Sequence, residues 1–301
     1  MNLRMAFAVA GIWFAGCGGD EGAAPPSDPL SPGINTEAVQ PTLPGRVVPL
    51  SAEPTETIVK DVASQPTYPL PPESLAEIQQ SLARSLQVLD QEIETDSDDA
   101  ELFSRRGTAH FFAGQFEKAA ADFDRELELE PARKGSHWRR GIALYFAGRY
   151  DESAEQFAEF HSQDTTSDRE NGIWHFLANA ARSGIDEARE KMLVYADDDR
   201  RPVMNRVYAM YAGKTTADEV LESIESADLD RTEREQQRFF AHAYAGWLAV
   251  AEQDLGQAKK HFEEAMTNEW GRKAVGGPGY MWHTARVHYD LLVRKQEGAI
   301  E

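Results

Sequence analysis

The residues best suited to chemistry do not combine into a recognisable catalytic or metal-binding pattern. The chain has eight histidines, but none lies in an H-E-x-x-H motif, and His283 and His288 are five residues apart, which places them on different faces of a helix. The Gly-Lys-Thr sequence at 213–215 matches the end of a phosphate-binding loop, yet Tyr208 stands where that loop needs its first glycine. No G-x-S-x-G motif is present. We therefore predict a protein that is not an enzyme and that holds no cofactor and no metal.

Two arginine pairs, at 105–106 and 139–140, are the next candidates for a charged site. Each pair ends directly before a glycine. A glycine lets a neighbouring helix approach closely because it has no β-carbon. Arg106 and Arg140 should therefore lie within reach of acidic residues on that neighbouring helix. We predict that they form structural ion pairs rather than a catalytic site.

Cys17 is the only cysteine, so an intrachain disulfide and a cysteine-based zinc site are both excluded. The residues before it, 1–16, hold one basic side chain followed by an apolar run of about eleven residues, which is typical of a secretory signal. The sequence Phe-Ala-Gly-Cys ending at Cys17 resembles the lipobox of bacterial lipoproteins, in which the cysteine becomes acylated. Gly18 follows, and the absence of an aspartate there implies the outer membrane, facing the periplasm. The alternative is an ordinary secreted protein with an unused cysteine.

The segment 17–72 is predicted to be a disordered tether after the lipidated cysteine. It holds twelve of the fifteen prolines, with Gly, Ser, Thr and acidic residues between them. Proline removes backbone donors and interrupts helices, and so polar a segment cannot bury itself. Fully extended, the tether would reach about 170 Å, which is enough to carry a folded domain well away from a membrane surface. A proline-rich recognition ligand is the alternative interpretation.

Charge and hydropathy narrow the range of partners. The 301 residues include 51 acidic and 31 basic side chains, which gives a formal net charge of −20. Because this charge repels phosphate backbones, we predict no nucleic-acid partner. No apolar run approaches the 18 residues that a membrane-spanning helix requires. Contact with a membrane is therefore expected only through the lipid anchor.

Residues 73–301 are predicted to form an all-α domain built from repeats. The sequences 105–123 and 139–157 are identical at nine of nineteen positions, at a shift of 34 residues. A 34-residue period with paired helices is the tetratricopeptide (TPR) signature. A later unit begins near Ala258, and shorter hairpins are expected between. The sequence therefore predicts an α-solenoid of tetratricopeptide-like hairpins, beginning with a capping box at Ser74.

A stack of such hairpins makes a concave groove, and the first helix of each hairpin lines it. Aromatic side chains in a groove are common anchors of protein recognition. The alternative is that about half of these residues pack between repeats. The repeat register predicts that the groove is lined by Glu101, Thr108, Phe111, Trp138, Ile142, Tyr145 and Trp247.

The order of features from about residue 98 to 292 resembles the NlpI-type tetratricopeptide lipoproteins of Gram-negative envelopes. Two clear repeats are followed by a helix with W-x-x-L-A at 174–178, a short hairpin with Y-x-G at 211–213, and an aromatic-basic final helix. The proline-rich tether and the glycine-rich insertion 276–279 depart from that pattern. The resemblance implies a non-enzymatic, often dimeric adaptor that holds cell-wall hydrolases or a protease in the cell envelope. The alternatives are an assembly factor for outer-membrane proteins, and an envelope enzyme or small-ligand receptor.

Overall fold

A computed structural model describes residues 68–163 and 168–296. The predicted signal peptide, the lipidation site Cys17 and the predicted tether as far as residue 67 lie outside the described residues. Helices account for about four fifths of the described chain, which contains no β-strand. The protein is therefore all-α, as the sequence predicts.

Thirteen α-helices and one 3-10 helix follow one another in the described part of the chain. Their bounds are α1 Pro72–Thr95, α2 Ala100–Phe112, α3 Phe116–Leu129, the 3-10 helix Pro131–Ser136, α4 Trp138–Phe146, α5 Tyr150–Gln163, α6 Arg169–Ser183, α7 Ile185–Glu190, α8 Pro202–Tyr211, α9 Ala217–Glu225, α10 Arg231–Ala251, α11 Leu255–Thr267, α12 Glu269–Lys273 and α13 Gly276–Gln296. No helix in these residues is long and apolar enough to cross a bilayer.

The first helix starts earlier than expected. The predicted capping box at Ser74 is wrong, because α1 begins at Pro72 with Pro71 at its N-cap and no side-chain cap. Proline suits the first position of a helix, where the missing N–H has no partner within the helix. By contrast, α9 begins with a capping box, in which Thr216 and Glu219 exchange hydrogen bonds.

Three hairpins of the array share the same close contact between a glycine and a phenylalanine sixteen residues later. An added β-carbon on Gly107 would lie 2.8 Å from the ring of the phenylalanine, and at the other two glycines the distance would be 2.6 Å. Each contact lets the two helices of a hairpin approach until the ring covers the glycine backbone. The pairs are Gly107 with Phe123 between α2 and α3, Gly141 with Phe157 between α4 and α5, and Gly246 with Phe262 between α10 and α11.

The turns inside the first two hairpins require glycine for a different reason. Gly114 and Gly148 have φ angles of 74° and 76°, in the left-handed region that other residues rarely adopt. Helices α3 and α5 then begin at Phe116 and Tyr150, two residues after these glycines. The local repeat motif thus determines both the helix boundaries and the direction of the chain.

The helices pack mainly against their neighbours in chain order, from α1 and α2 through to α10 and α11. The last helix breaks this order, because α13 contacts α10 and α11 and also returns to α2 near the start of the array. One continuous hydrophobic core results, running from Leu70 to Leu292. A smaller cluster around Leu89 joins α1 to α2.

Candidate protein-docking site

The final helix α13 lies against the face where the groove was predicted. Tyr280 stacks on Phe111 with ring centroids 5.2 Å apart, and it meets Trp138 edge-on at 4.9 Å. One turn further, the His283 ring stacks on Phe112 at 4.2 Å. These contacts join α13 to the first helices of both N-terminal hairpins.

The middle of α13 joins the two ends of the array. The His288 ring lies 5.2 Å from both Phe146 on α4 and Phe262 on α11. Burial lowers the pKa of His288 to about 4, so its imidazole is neutral at pH 7 and suits this aromatic environment. Trp282 donates its indole N–H to the carbonyl oxygen of Met266, 3.1 Å away, which holds α13 against α11.

The predicted groove is therefore filled by the chain itself. Of the seven predicted lining residues, five are buried and a sixth is half-buried against α13. The prediction that these six line an open groove is wrong, because the folded chain itself buries or half-buries them: Thr108, Phe111, Trp138, Ile142, Tyr145 and Trp247. Tyr280 of α13 contacts Phe111 and Trp138, while Trp174 of α6 contacts both Tyr145 and Trp247. Glu101 remains half-exposed beside Arg133, and its part in binding stays a prediction.

Arg286 on α13 is a charged residue that points into the protein. This side chain is buried, and it donates to the Phe112 carbonyl oxygen at 2.5 Å and to Asp290 at 3.0 Å. Tyr68, just before α1, donates its hydroxyl to the same carboxylate at 2.5 Å. Burial raises the pKa of Asp290, while Arg286 opposes that change. The N-terminal end of the described chain, α13 and α2 are thus connected through two charged side chains.

A cleft of about 260 Å³ opens beside this network, between α1, the α2–α3 turn and α13. Leu82 and Leu86 form its wall on α1, and Val287 and Leu291 face them from α13. Charged groups lie at the α13 side, where the cleft is lined by Arg286, Asp290 and Arg294. The sequence alone does not predict this cleft, because the cleft depends on where α13 returns to the array.

The predicted ion pairs of Arg106 and Arg140 are confirmed. Arg106 binds Asp122 on α3 through two nitrogens, at 2.9 and 2.7 Å. Arg140 reaches Asp124 on α3 at 2.7 Å. Both arginines tie helices of the array together, as expected for residues next to the packing glycines.

Glu126 is a buried carboxylate between the first two hairpins that the sequence pattern did not predict. Glu126 is buried and accepts hydrogen bonds from His137 at 2.9 Å and from Arg133 at 3.0 Å. Burial alone favours the neutral carboxyl, but the bonds and charge of His137, together with bonds from Ser104 and Arg133, lower the pKa of Glu126 to about 2. This charged cluster holds the 3-10 helix against α3.

A second ionic network joins α6 to α8 and α10. Arg201 binds Asp168 and Asp199, each at 2.9 Å, and it also contacts Glu170. Tyr244 on α10 donates its hydroxyl to Glu170. Every carboxylate of this cluster is bound to Arg201, so the network holds the start of α6 against the start of α8.

The described residues contain no group of three or more His, Cys, Asp or Glu side chains placed to hold a metal ion. Two histidines do meet, since Nδ1 of His242 on α10 lies 3.1 Å from Nδ1 of His261 on α11. Sequence spacing alone could not reveal this pair, because the two residues belong to different helices.

The chain matches no known protein-family model, and no curated protein is significantly similar to it in sequence. Its class therefore follows from the structure alone: an all-α protein whose last helix packs across the faces of its earlier hairpins.

Proposed function

We propose that the protein is a lipid-anchored scaffold of a bacterial cell envelope, built as a solenoid of tetratricopeptide-like hairpins that binds protein partners. The three hairpins with the same glycine–phenylalanine contact support the solenoid. The resemblance to NlpI-type lipoproteins supports the class of function. Anchoring through Cys17 and outer-membrane localisation are part of the same proposal, as is the homodimer that the resemblance implies.

The partner-binding surface in this proposal is the cleft between α1, the α2–α3 turn and α13, because α13 covers the originally predicted groove. Ligand pockets for whole small molecules usually measure about 300–1,000 Å³. At about 260 Å³ the cleft suits a side chain of a docked segment rather than an enclosed ligand.

The chemistry of the lining specifies the occupant. Apolar side chains face each other across the cleft, and its charged side holds two arginines against one aspartate. This local positive balance stands out in a chain with a net charge of −20. We expect a partner segment that inserts one large apolar side chain and places a carboxylate next to Arg294, which is exposed.

Anchoring and docking together would concentrate protein partners near the membrane. A partner held near the membrane meets other envelope components at a raised effective concentration, without any new contact between them. The single observation that supports docking is the cleft itself: an open, apolar-walled site that the chain leaves uncovered after α13 has filled the rest of the inner face.

The test uses an exposed alanine that lines the cleft. Replacing Ala83 with Trp should fill the cleft without disturbing the core, and should reduce capture of envelope partners at least tenfold. Ala76, also exposed on α1 but outside the cleft, provides the matched control Ala76→Trp. Capture is measured by quantitative mass spectrometry of proteins retained from envelope extract by the full-length chain.

A photo-cross-linking residue at position 83, and at position 76 as the control, identifies what occupies the cleft. Cross-linked peptides from position 83 should contain a large apolar residue next to Asp or Glu. Cross-links to a second copy of the chain would instead place the homodimer contact there and remove the cleft as a partner site. Equal capture by Ala83→Trp and by the wild type would overturn the docking proposal.

A further inference from the structure

The third hairpin with the glycine–phenylalanine contact differs from the first two at one register position. In the first hairpin the residues just before the glycine and the phenylalanine are Arg106 and Asp122, which form an ion pair at 2.7 Å. In the hairpin of α10 and α11 the equivalent residues are Ala245 and His261. The arginine is absent, and His242, one turn earlier on α10, contacts His261 instead.

The two imidazoles are held close by rigid elements. His242 belongs to a helix of 21 residues and His261 to a helix of 13. Their Nδ1 atoms are 3.1 Å apart, and their ring centroids are 5.3 Å apart. Both side chains are half-buried, so ions from solvent can reach them.

The distance between the Nδ1 atoms suits a shared metal ion. Imidazole nitrogens bind zinc at about 2.0–2.1 Å, and two such ligands at about 90–110° around one ion lie about 2.9–3.4 Å apart. The observed separation of 3.1 Å falls in this interval. Imidazole is a preferred ligand of zinc, nickel and copper, and among divalent first-row ions copper binds most tightly.

Charged side chains of both signs lie near the two imidazoles. Asp218 on α9 and Glu264 on α11 lie near His261, as does Lys260. Glu225 on α9 and Arg238 on α10 lie near His242 and form an ion pair with each other. The distance between the two Nδ1 atoms is therefore the feature that supports a metal ion.

We propose that His242 and His261 form a binding site for a divalent late transition metal, and that copper(II) is the ion bound most tightly. The two Nδ1 atoms supply the protein ligands, and water completes the coordination. The site lies between α10 and α11 and does not depend on the docking cleft or on lipid anchoring. In the hairpin of α10 and α11, His261 would thus bind a metal at the position where Asp122 of the first hairpin binds Arg106.

The test titrates copper(II) into the full-length protein at pH 7.4, with binding followed by calorimetry and by electron paramagnetic resonance. We expect one ion per chain and nitrogen couplings from two imidazoles. His242→Gln and His261→Gln should each weaken binding at least tenfold, and the double variant should bind no more weakly than the weaker single variant. His161→Gln removes a histidine outside the pair and should leave the affinity unchanged.

Circular dichroism verifies that each variant keeps its helices. The resonance spectrum of the wild-type protein tests the proposal even if a variant fails to fold. A copper signal from the wild-type protein without coupling to two imidazoles would overturn the proposal. The proposal would also be overturned if folded His242→Gln and folded His261→Gln both bound copper(II) as tightly as the wild type.

Discussion

Glu126 offers the most quantitative test of how the first two hairpins are joined. Its pKa is 4.5 in an unperturbed chain and about 2 in the folded protein. The difference of about 2.5, at about 1.36 kcal/mol for each pKa unit, corresponds to about 3 kcal/mol of stability at neutral pH. Because the folded-state pKa is the lower one, the unfolded chain binds the extra proton as acid is added. Stability is therefore fully present above about pH 4.5 and is lost as the pH falls toward 2.

The perturbation is Glu126→Gln, which keeps the shape of the side chain but removes its charge and its titration. The variant should be about 3 kcal/mol less stable at pH 7, because His137 remains buried without its charged partner. The wild type should lose about 1 kcal/mol more than the variant between pH 7 and pH 3.5. Urea unfolding of the full-length protein, followed by circular dichroism at several pH values, measures both quantities.

The matched control is Glu130→Gln. Glu130 also binds Arg133, at 2.6 Å, but it is exposed to solvent. An exposed ion pair contributes little, about 0–1 kcal/mol, so this variant should follow the wild type closely at every pH. If Glu126→Gln and the wild type lose stability in parallel between pH 7 and pH 3.5, the assignment of Glu126 as a buried, charged carboxylate is refuted.

Two further predictions concern the packing of the third hairpin and the membrane anchor. Gly246→Ala should lower the free energy of unfolding in urea by about 1–3 kcal/mol, because the new β-carbon would lie 2.6 Å from the Phe262 ring. The control is Gly256→Ala in the same hairpin, where the nearest atom to the new β-carbon is 3.5 Å away. This variant should be neutral or slightly more stable than the wild type. Equal losses in the two variants would contradict the close-contact explanation. In bacterial cells, Cys17→Ser should abolish labelling with radioactive palmitate and move the protein from the membrane to the soluble fraction; palmitate incorporation that persists in the variant would exclude Cys17 as the acylated residue.

The repeats could be predicted from sequence because their determinants are local. Gly107 and Phe123 are sixteen residues apart, and Gly114 forms a turn through its own backbone conformation. The same residue types recur 34 positions later, which reveals the period. The structure keeps the same period, since α3 and α5 begin 34 residues apart, at Phe116 and Tyr150.

The position of α13 could not be predicted in this way, because it depends on how the whole array curves. Arg286 contacts Phe112 across 174 residues of chain, and no repeat motif specifies that contact. One signal was present in the sequence. Tyr280 lies on one side of α13 and Trp282 on nearly the opposite side, so large apolar side chains on two sides of this helix indicate that it packs against more than one neighbour. The candidate cleft follows only after this helix has been placed.

The contact of Tyr68 with α13 has a mechanical consequence. Tyr68 lies at the beginning of the described chain, and its ring packs edge-on against Tyr289 while its hydroxyl is bound to Asp290. Leu70 is buried in the main core two residues later. A pulling force applied to the chain before residue 68 would therefore act on α13 before it acted on α1.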